Sequence, residues 1–232
     1  MKGWALTAIF VAGFIVTLAS TVPFGVALAW SQGAPSGLSS DSVSGSIWNG
    51  RLENTRIGRI RIGDVDAHLS PFALFTGVSR LSLRSELGAA TLVQGRERGI
   101  EDAEIAIDLE QLGFAVPMAG SVKLQRATLL FQDDRCNFVE GQISTDVFRR
   151  VWSGPELSGR LMCDGKAAVA RLAGRTADVD VDIMVRIEAD GRYRVQSHVT
   201  SSNNGVLIAL GLAGFAQNGD GVVRLDEGIL GT

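Results

Sequence analysis

The segment Val179–Glu188, VDVDIMVRIE, alternates between apolar side chains and mostly charged ones. A period of two places successive side chains on opposite faces of a β-strand. A strand with one apolar and one polar face buries the first and leaves the second in water. This is typical of antiparallel sheets, because parallel strands are covered on both faces and read as continuous apolar runs. The segment therefore predicts an antiparallel sheet with one buried face.

Shorter segments with the same alternation occur on both sides of Val179–Glu188. Glycine and Asp/Asn turns separate them, as in Cys163-Asp164-Gly165 and Ala189-Asp190-Gly191. About ten short strands joined in this way predict a meander of hairpins. The fold class is therefore mainly β, a long antiparallel sheet that is twisted or curved. The expected strands lie near residues 57–62, 78–84, 89–94, 103–109, 122–131, 138–145, 159–163, 166–172, 179–188, 193–199 and 222–225, with a β-bulge near 126–127.

Three segments of the chain predict short helices. Pro71–Thr76 fits one turn, with proline at the first helical position. Asp146–Trp152 fits two turns. Asn204–Gly214 fits a short packed helix whose start is marked by Asn203, although Val206–Ile208 also fits a buried strand.

The charge of the chain is slightly acidic and unevenly distributed. There are 232 residues, with 22 basic and 25 acidic side chains and a formal net charge of −3. This balance argues against a nucleic-acid partner. Lys2 is the only charged residue before Asp41, so residues 41–232 carry 21 basic and 25 acidic side chains, a net charge of −4. That part has the composition of an ordinary soluble domain.

The apolar segment 4–30 is long enough to cross a membrane, because a helix rises about 1.5 Å per residue and the hydrocarbon core is about 30 Å thick. Trp4 and Trp30 lie at its ends, where indole side chains prefer the membrane interface, and Lys2 places the N-terminus in the cytoplasm. We therefore expect a cytoplasmic start at 1–3, a transmembrane anchor at 4–30, a flexible Ser/Gly-rich tether at 31–44 and an exported β domain at 45–232.

The alternative for the apolar segment is a cleaved signal peptide. Ala27-Leu28-Ala29 has the A-x-A form that a signal peptidase accepts. However, the apolar run is longer than the usual h-region of about 7 to 15 residues and continues up to this tripeptide, which favours a retained anchor. Both interpretations export residues 41–232.

Cys136 and Cys163 are the two cysteines of the chain. An even number of cysteines in an exported domain favours a disulfide, and two separately buried thiols are the alternative. Closing the loop between them stabilises the fold by about 3.6 kcal/mol on the chain-entropy estimate. Neither cysteine has a second cysteine or a histidine at ligand spacing, so we expect no metal site there.

Candidate catalytic and metal-binding residues are few. His68 and His198 are the two histidines, and no G-x-S-x-G nucleophile elbow accompanies either. Asp178, Asp180 and Asp182 invite a calcium interpretation, but alternation spaces them about 6.6 Å apart along one strand face instead of around an ion. The sequence contains no dinucleotide or phosphate-binding glycine motif. We therefore expect no enzymatic activity and no cofactor.

Several motifs follow the apolar segment in a consistent order. They are VSGSIWNGR at 43–51, LSPFALFTG at 69–77, GPELSGRLMCDG at 154–165 with Cys136 upstream, and a Gly-Asp-Gly turn at 219–221. In this order they resemble the type II secretion system protein N family, from residue 4 to about residue 228. The segment before Pro71 lacks the tryptophan often seen there in the family.

The resemblance implies a non-enzymatic component of the bacterial machine that exports folded proteins from the periplasm through the outer membrane. The chain would cross the inner membrane once at 4–30, place its β domain in the periplasm and bind other secretion components. Its open sheet edges would be blunted by charge or would pair with a strand of a partner. The motif residues with an expected partner-contact or structural role are Gly45, Trp48, Gly50, Pro71, Phe72 and Gly77.

The alternative function is periplasmic lipid binding or transfer. Curved β meanders behind one membrane helix also resemble the AsmA-like and lipopolysaccharide-shuttle families, whose concave sheets carry acyl chains. A lipid groove needs a continuous apolar concave surface. The acidic face of Val179–Glu188 leaves the opposite, apolar face to serve either as a core or as such a groove.

Overall fold

The computed structural model describes Phe10, Thr17 and residues 22–25, 38–57, 60–71, 77–108, 120–148 and 154–229. These residues contain 15 strands, all in one antiparallel sheet, and the helix α1. The elements are β1 (Leu38–Ser39), β2 (Ser42–Ser46), β3 (Asn49–Ile57), β4 (Ile60–Leu69), β5 (Ser79–Ser85), β6 (Gly88–Gln94), β7 (Glu97–Asp108), β8 (Ser121–Gln132), β9 (Arg135–Thr145), β10 (Leu157–Asp164), β11 (Ala167–Arg175), β12 (Val179–Glu188), β13 (Arg192–Ser201), α1 (Asn204–Leu212), β14 (Ala216–Asn218) and β15 (Gly221–Ile229).

Most of the sheet is a simple meander, because each strand from β3 to β12 pairs with the next strand in the chain. The order changes only at the two edges. At the N-terminal edge, β1 pairs with the last residues of β3 and β2 pairs with its first residues. At the C-terminal edge, β15 lies between β13 and the short strand β14. The predicted antiparallel sheet of hairpins is therefore confirmed.

The sheet begins earlier in the chain than the alternation indicates. The β2–β3 hairpin at 42–57 precedes the first expected strand. Its sequence is rich in Gly, Ser, Asn and charged residues, with few apolar side chains to reveal a period of two. Farther along, the expected bulge near 126–127 is confirmed, since the β8–β9 register shifts between Gln125 and Thr128. Arg126 there has a φ of 45°.

The helix α1 replaces the buried strand that Val206–Ile208 also allowed. Asn203 caps it, because the Asn203 side chain accepts a hydrogen bond from the N–H of Gly205 at 2.9 Å. Leu210 is 0% exposed and anchors α1 against the sheet. The other two predicted helices lie largely outside the described residues, with only Pro71 and residues 147–148 in helical conformation.

The three main core clusters lie on one face of the sheet. Val181 and Val199 are paired across β12 and β13 and are both 0% exposed. Helix α1 and Phe148 cover this end of the face. Three clusters of buried side chains follow one another across the sheet: Phe24, Leu52, Val65 and Ala67; Ala103, Ala127, Leu129, Phe131 and Ala168; and Phe148, Leu157, Ala170, Leu172, Val179, Val181, Val199, Leu210 and Val222.

The predicted anchor at 4–30 lies outside the described residues, apart from Phe10, Thr17 and residues 22–25. Within the described part of the chain, no helix has both the length and the apolar character needed to span a bilayer. Strand β1 and the first residues of β2 fall inside the segment 31–44 that was expected to be a tether. The division of the chain into anchor, tether and exported domain stays a prediction.

Candidate functional site

The first motif, VSGSIWNGR, forms the hairpin between β2 and β3. Ser46 pairs with Asn49, so Ile47 and Trp48 make a two-residue turn. Gly45 has a φ of +86°, and a Cβ atom there would lie 2.2 Å from the carbonyl oxygen of Asn49. The hairpin therefore requires glycine at position 45, both for its backbone conformation and for the close approach of the two strands.

Gly50 makes room for an aromatic ring that comes from much earlier in the chain. A Cβ atom on Gly50 would lie 2.4 Å from the ring of Phe24. Phe24 is 6% exposed and packs with Leu52 and Val65. The N–H of Ile47 also donates a hydrogen bond of 3.1 Å to the carbonyl oxygen of Val22. Residues 22–25 are thus fixed to the outer side of the β2–β3 hairpin.

The other motif residues that the structure describes lie at the same end of the sheet as this hairpin, because Gly50 pairs with Ala67 near the end of β4. Trp48 is half-buried in the turn, and next to it the side-chain oxygen of Asn49 lies 2.9 Å from Nδ1 of His68. Pro71 and Gly77 are both exposed, at the two described ends of the β4–β5 connection. Phe72 lies outside the described residues.

The predicted disulfide between Cys136 and Cys163 is confirmed, with their Cα atoms 5.6 Å apart. It lies where the ladder between β9 and β10 has stopped. That ladder runs only from Leu157, opposite Thr145, to Arg160, opposite Gln142. The covalent bond therefore holds the two strands together in the middle of the sheet, beyond their last hydrogen-bonded pair.

The acidic row of β12 lies along the polar face of the sheet and meets basic side chains on its neighbours. Asp180 forms an ion pair with Arg175 on β11, and Asp182 lies directly opposite His198 on β13. Asp178 is exposed just before the strand. Within the described ranges, no three potential ligands are grouped to hold a metal ion. The row is thus part of a cross-strand charge pattern.

Similar ion pairs connect the strands at the N-terminal end of the sheet. Arg51 on β3 contacts Asp64 on β4 at 2.9 Å. The backbone N–H of Asn54 and the guanidinium of Arg51 lower the pKa of Asp64 below its ordinary value, and Asp64 in turn raises the pKa of Arg51. Both side chains are about half exposed, so solvent screens the pair and its contribution to stability is small.

The C-terminal edge has a different construction. Strand β14 pairs only with Gly221–Val223, the first residues of β15. The next residue, Arg224, donates a hydrogen bond of 2.8 Å from Nη1 to the carbonyl oxygen of Ala213, just beyond the end of α1. Its guanidinium also lies 5.9 Å from the ring centre of Phe215 and pairs with Asp226, which raises the pKa of Arg224. Arg224 therefore connects the end of α1 to β15.

A family model described as type II secretion system (T2SS), protein N, matches residues 36–226 of the chain. The matched segment is well over half of the length of the chain. The chain belongs to the T2SS protein N family. No curated protein and no solved structure matches it.

Membership in the protein N family makes the chain a component of the type II secretion system, in a family that is generally non-enzymatic. Membership also implies interaction with other secretion components and an envelope location. The match contains the β2–β3 hairpin, both cysteines and the start of β15, whereas Phe24 precedes it. No local signal marks Phe24, because it is one apolar residue within a long apolar run.

Proposed function

We propose that this chain is an inner-membrane-anchored periplasmic module that assists assembly or transport in the type II secretion system by binding other components of the machine. The family match over residues 36–226 carries this proposal. The disulfide supports the periplasmic location, because that compartment is oxidising. The charge-free segment after Lys2 supports the inner-membrane anchor.

The packing of Phe24 supports an anchor that is retained in the mature protein. Cleavage after Ala29 would separate Phe24 from the sheet and uncover Gly50, Leu52 and Val65. Residues 4–21 alone would rise about 27 Å as a helix, which is close to the thickness of a hydrocarbon core. In this arrangement the β2–β3 hairpin lies directly at the outer surface of the inner membrane, with Trp48 in its turn.

The contact role of the hairpin is tested by photocrosslinking in cells. A photoreactive amino acid is placed at Trp48 and, as a control, at Lys166, which is exposed in the turn between β10 and β11. We expect position 48 to crosslink to another secretion component or to lipid, and position 166 to show a different pattern. Identical patterns at the two positions would contradict a specific role for the hairpin.

The secretion role is tested by deleting the gene and measuring the export of folded proteins to the medium. We expect export to fall and to recover when the full-length chain is supplied. Unchanged export after deletion would contradict the proposal.

The intact mass of the purified protein reports separately on cleavage after Ala29. Recovery of one phospholipid or lipopolysaccharide molecule per chain from a mild-detergent preparation would favour the lipid-transfer alternative.

A further inference from the structure

The outer side of β15 is an open sheet edge in the described part of the molecule. Strand β14 covers Gly221–Val223 and no more. The following residues, Arg224–Gly228, pair with β13 on their inner side, and no described strand lies on their outer side. An uncovered edge of this kind presents backbone donors and acceptors to which another strand can be added.

The hairpin register shows which backbone groups point outward. Asn218 and Gly221 flank the two-residue turn and are paired across it, so they exchange both of their hydrogen bonds. Backbone groups alternate in direction along a strand, so Gly221 and Val223 point to β14. Leu225 and Glu227 continue this alternation beyond β14. Their N–H and C=O groups therefore face the open side.

The side chains of Leu225 and Glu227 lie on the same face of this edge, because they are two residues apart. Leu225 is 58% exposed, one of the more exposed large apolar residues among those described. Glu227 is also exposed and forms an ion pair with Arg194 on β13, with Nε and Oε1 2.5 Å apart. The edge thus offers one apolar and one acidic neighbour to an added strand.

A second copy of the chain fits this edge poorly. In antiparallel self-pairing, Glu227 would lie opposite Glu227 of the other copy or opposite one of its apolar residues, Leu225 or Ile229. The first arrangement opposes like charges, and the second opposes a charge with an apolar side chain. Both are unfavourable cross-strand pairs. A strand with an apolar residue opposite Leu225 and a basic residue opposite Glu227 avoids both problems.

We propose that the open edge of β15 binds an extended segment of another polypeptide, in which an apolar and a basic residue alternate with others on one face. The inference deepens the proposed secretion role and rests on it, since it names the edge and the chemistry of the partner. The requirement for an extended backbone comes from the outward N–H and C=O groups of Leu225 and Glu227. The sequence preference comes from the exposed Leu225 side chain and the charge of Glu227.

A synthetic peptide tests the edge directly. The probe is the seven-residue peptide Thr-Val-Thr-Lys-Thr-Val-Thr. It is added to the isotope-labelled full-length protein in mild detergent. We expect its binding to protect the amides of Leu225 and Glu227 from hydrogen exchange. Replacing the central lysine with glutamate should weaken binding about two- to fivefold. Protection confined to amides elsewhere in the sheet would overturn the proposal.

N-methylation of the peptide separates strand addition from side-chain contact. Methylating the valine and lysine nitrogens removes the hydrogen bonds to β15, so binding should weaken at least about tenfold. Methylating the threonine nitrogens should have a much smaller effect, because these face away from β15. Equal effects of the two methylated peptides would contradict pairing of the backbones.

Two variants at one position test the edge in cells. Leu225→Pro removes an outward N–H that the β13 ladder does not use, whereas Leu225→Ala keeps it. We expect Leu225→Pro to reduce export and peptide binding, and Leu225→Ala to reduce both less. Hydrogen exchange of the amides in β12 and β13 reports on folding; if Leu225→Pro fails this check, Leu225→Lys takes its place.

The two proposals fail in different ways. If deletion of the gene abolishes export while a folded edge variant supports export and the peptide does not bind, the edge proposal is wrong and the secretion role stands. If deletion leaves export unchanged, the secretion role is wrong. The peptide then still reports whether β15 accepts a strand.

Discussion

The two edges of the sheet differ in how the chain protects them. At the N-terminal edge, β1 has two residues and β2 five, and Ser40 and Asp41 separate the two strands. Residues 22–25 then close the hairpin end of this edge. At the C-terminal edge, β14 stops after three residues and leaves Arg224–Gly228 as a continuous open strand.

From this difference we predict that the two edges have different roles. Short, interrupted strands and local cover are the ordinary ways in which proteins prevent edge-to-edge association. The N-terminal edge has both, and its exposed side chains are largely serines. The C-terminal edge has an exposed leucine and no interruption over the same length. We therefore expect substitutions at the first edge to change stability and those at the second to change association.

The largest expected effect is at the covered edge. Phe24→Ala removes a ring that is 6% exposed and should lower the free energy of unfolding by about 3–5 kcal/mol. Denaturation of the full-length protein in mild detergent, followed by tryptophan fluorescence, measures the change. The matched control is Phe138→Ala, because Phe138 is 46% exposed and should cost less than about 1 kcal/mol. Equal losses in the two variants would show that Phe24 does not hold the edge.

A double-mutant cycle sharpens this test. Gly50→Ala alone should destabilise the protein by about 1–3 kcal/mol, because the new methyl group overlaps the ring of Phe24. In the Phe24→Ala background the same change should cost much less, since the ring is gone. Additive effects would contradict the direct packing of Phe24 on Gly50.

The disulfide lies between the two edges and should affect both. Replacing Cys136 and Cys163 together with alanine should cost about 3.6 kcal/mol, because the unfolded chain regains the freedom of a closed loop. Hydrogen exchange of amides in β3 and β15 reports whether both halves of the sheet become less stable. Reduction of the natural protein is the control and should give the same loss. A change confined to one edge would indicate that the halves unfold separately.

A smaller effect on stability is expected at the open edge. Leu225→Ala should change the free energy of unfolding by less than about 0.5 kcal/mol, since the side chain is 58% exposed. The matched substitution is Leu52→Ala beside the covered edge, where the leucine is 5% exposed and the cost should be about 2–5 kcal/mol. Denaturation under the same conditions compares the two. A large loss in Leu225→Ala would mean that the open edge is part of the core.

The sequence predicts the middle of the sheet better than its edges. In β12 every side chain except Met184 shows by its polarity which face it occupies, so the period of two is visible. In β2 and β3 few apolar side chains mark the strands, which form by pairing with each other and, for β3, with β4. The disulfide follows from the number of cysteines and the compartment. By contrast, the contact of Phe24 with Gly50 joins residues that are far apart in the chain, and no local pattern encodes it.

The smallest expected effect is electrostatic, and it compares two aspartates at opposite ends of the sheet. The N–H of Asn54 and the guanidinium of Arg51 lower the pKa of Asp64 in the β3–β4 ladder. The N–H of Arg192 lowers the pKa of Asp190 in the β12–β13 turn. A lowered folded-state pKa stabilises the protein above the unfolded value of about 3.9, and this contribution is lost as pH falls through the folded pKa. Asp64→Asn should therefore flatten the loss of stability below about pH 4, as measured by denaturation between acidic and neutral pH. Asp190→Asn is the control at the other end of the sheet. If Asp64→Asn leaves the acid dependence unchanged while Asp190→Asn flattens it, the charge pairing near the covered edge contributes nothing to its stability, and the cover by Phe24 alone distinguishes that edge.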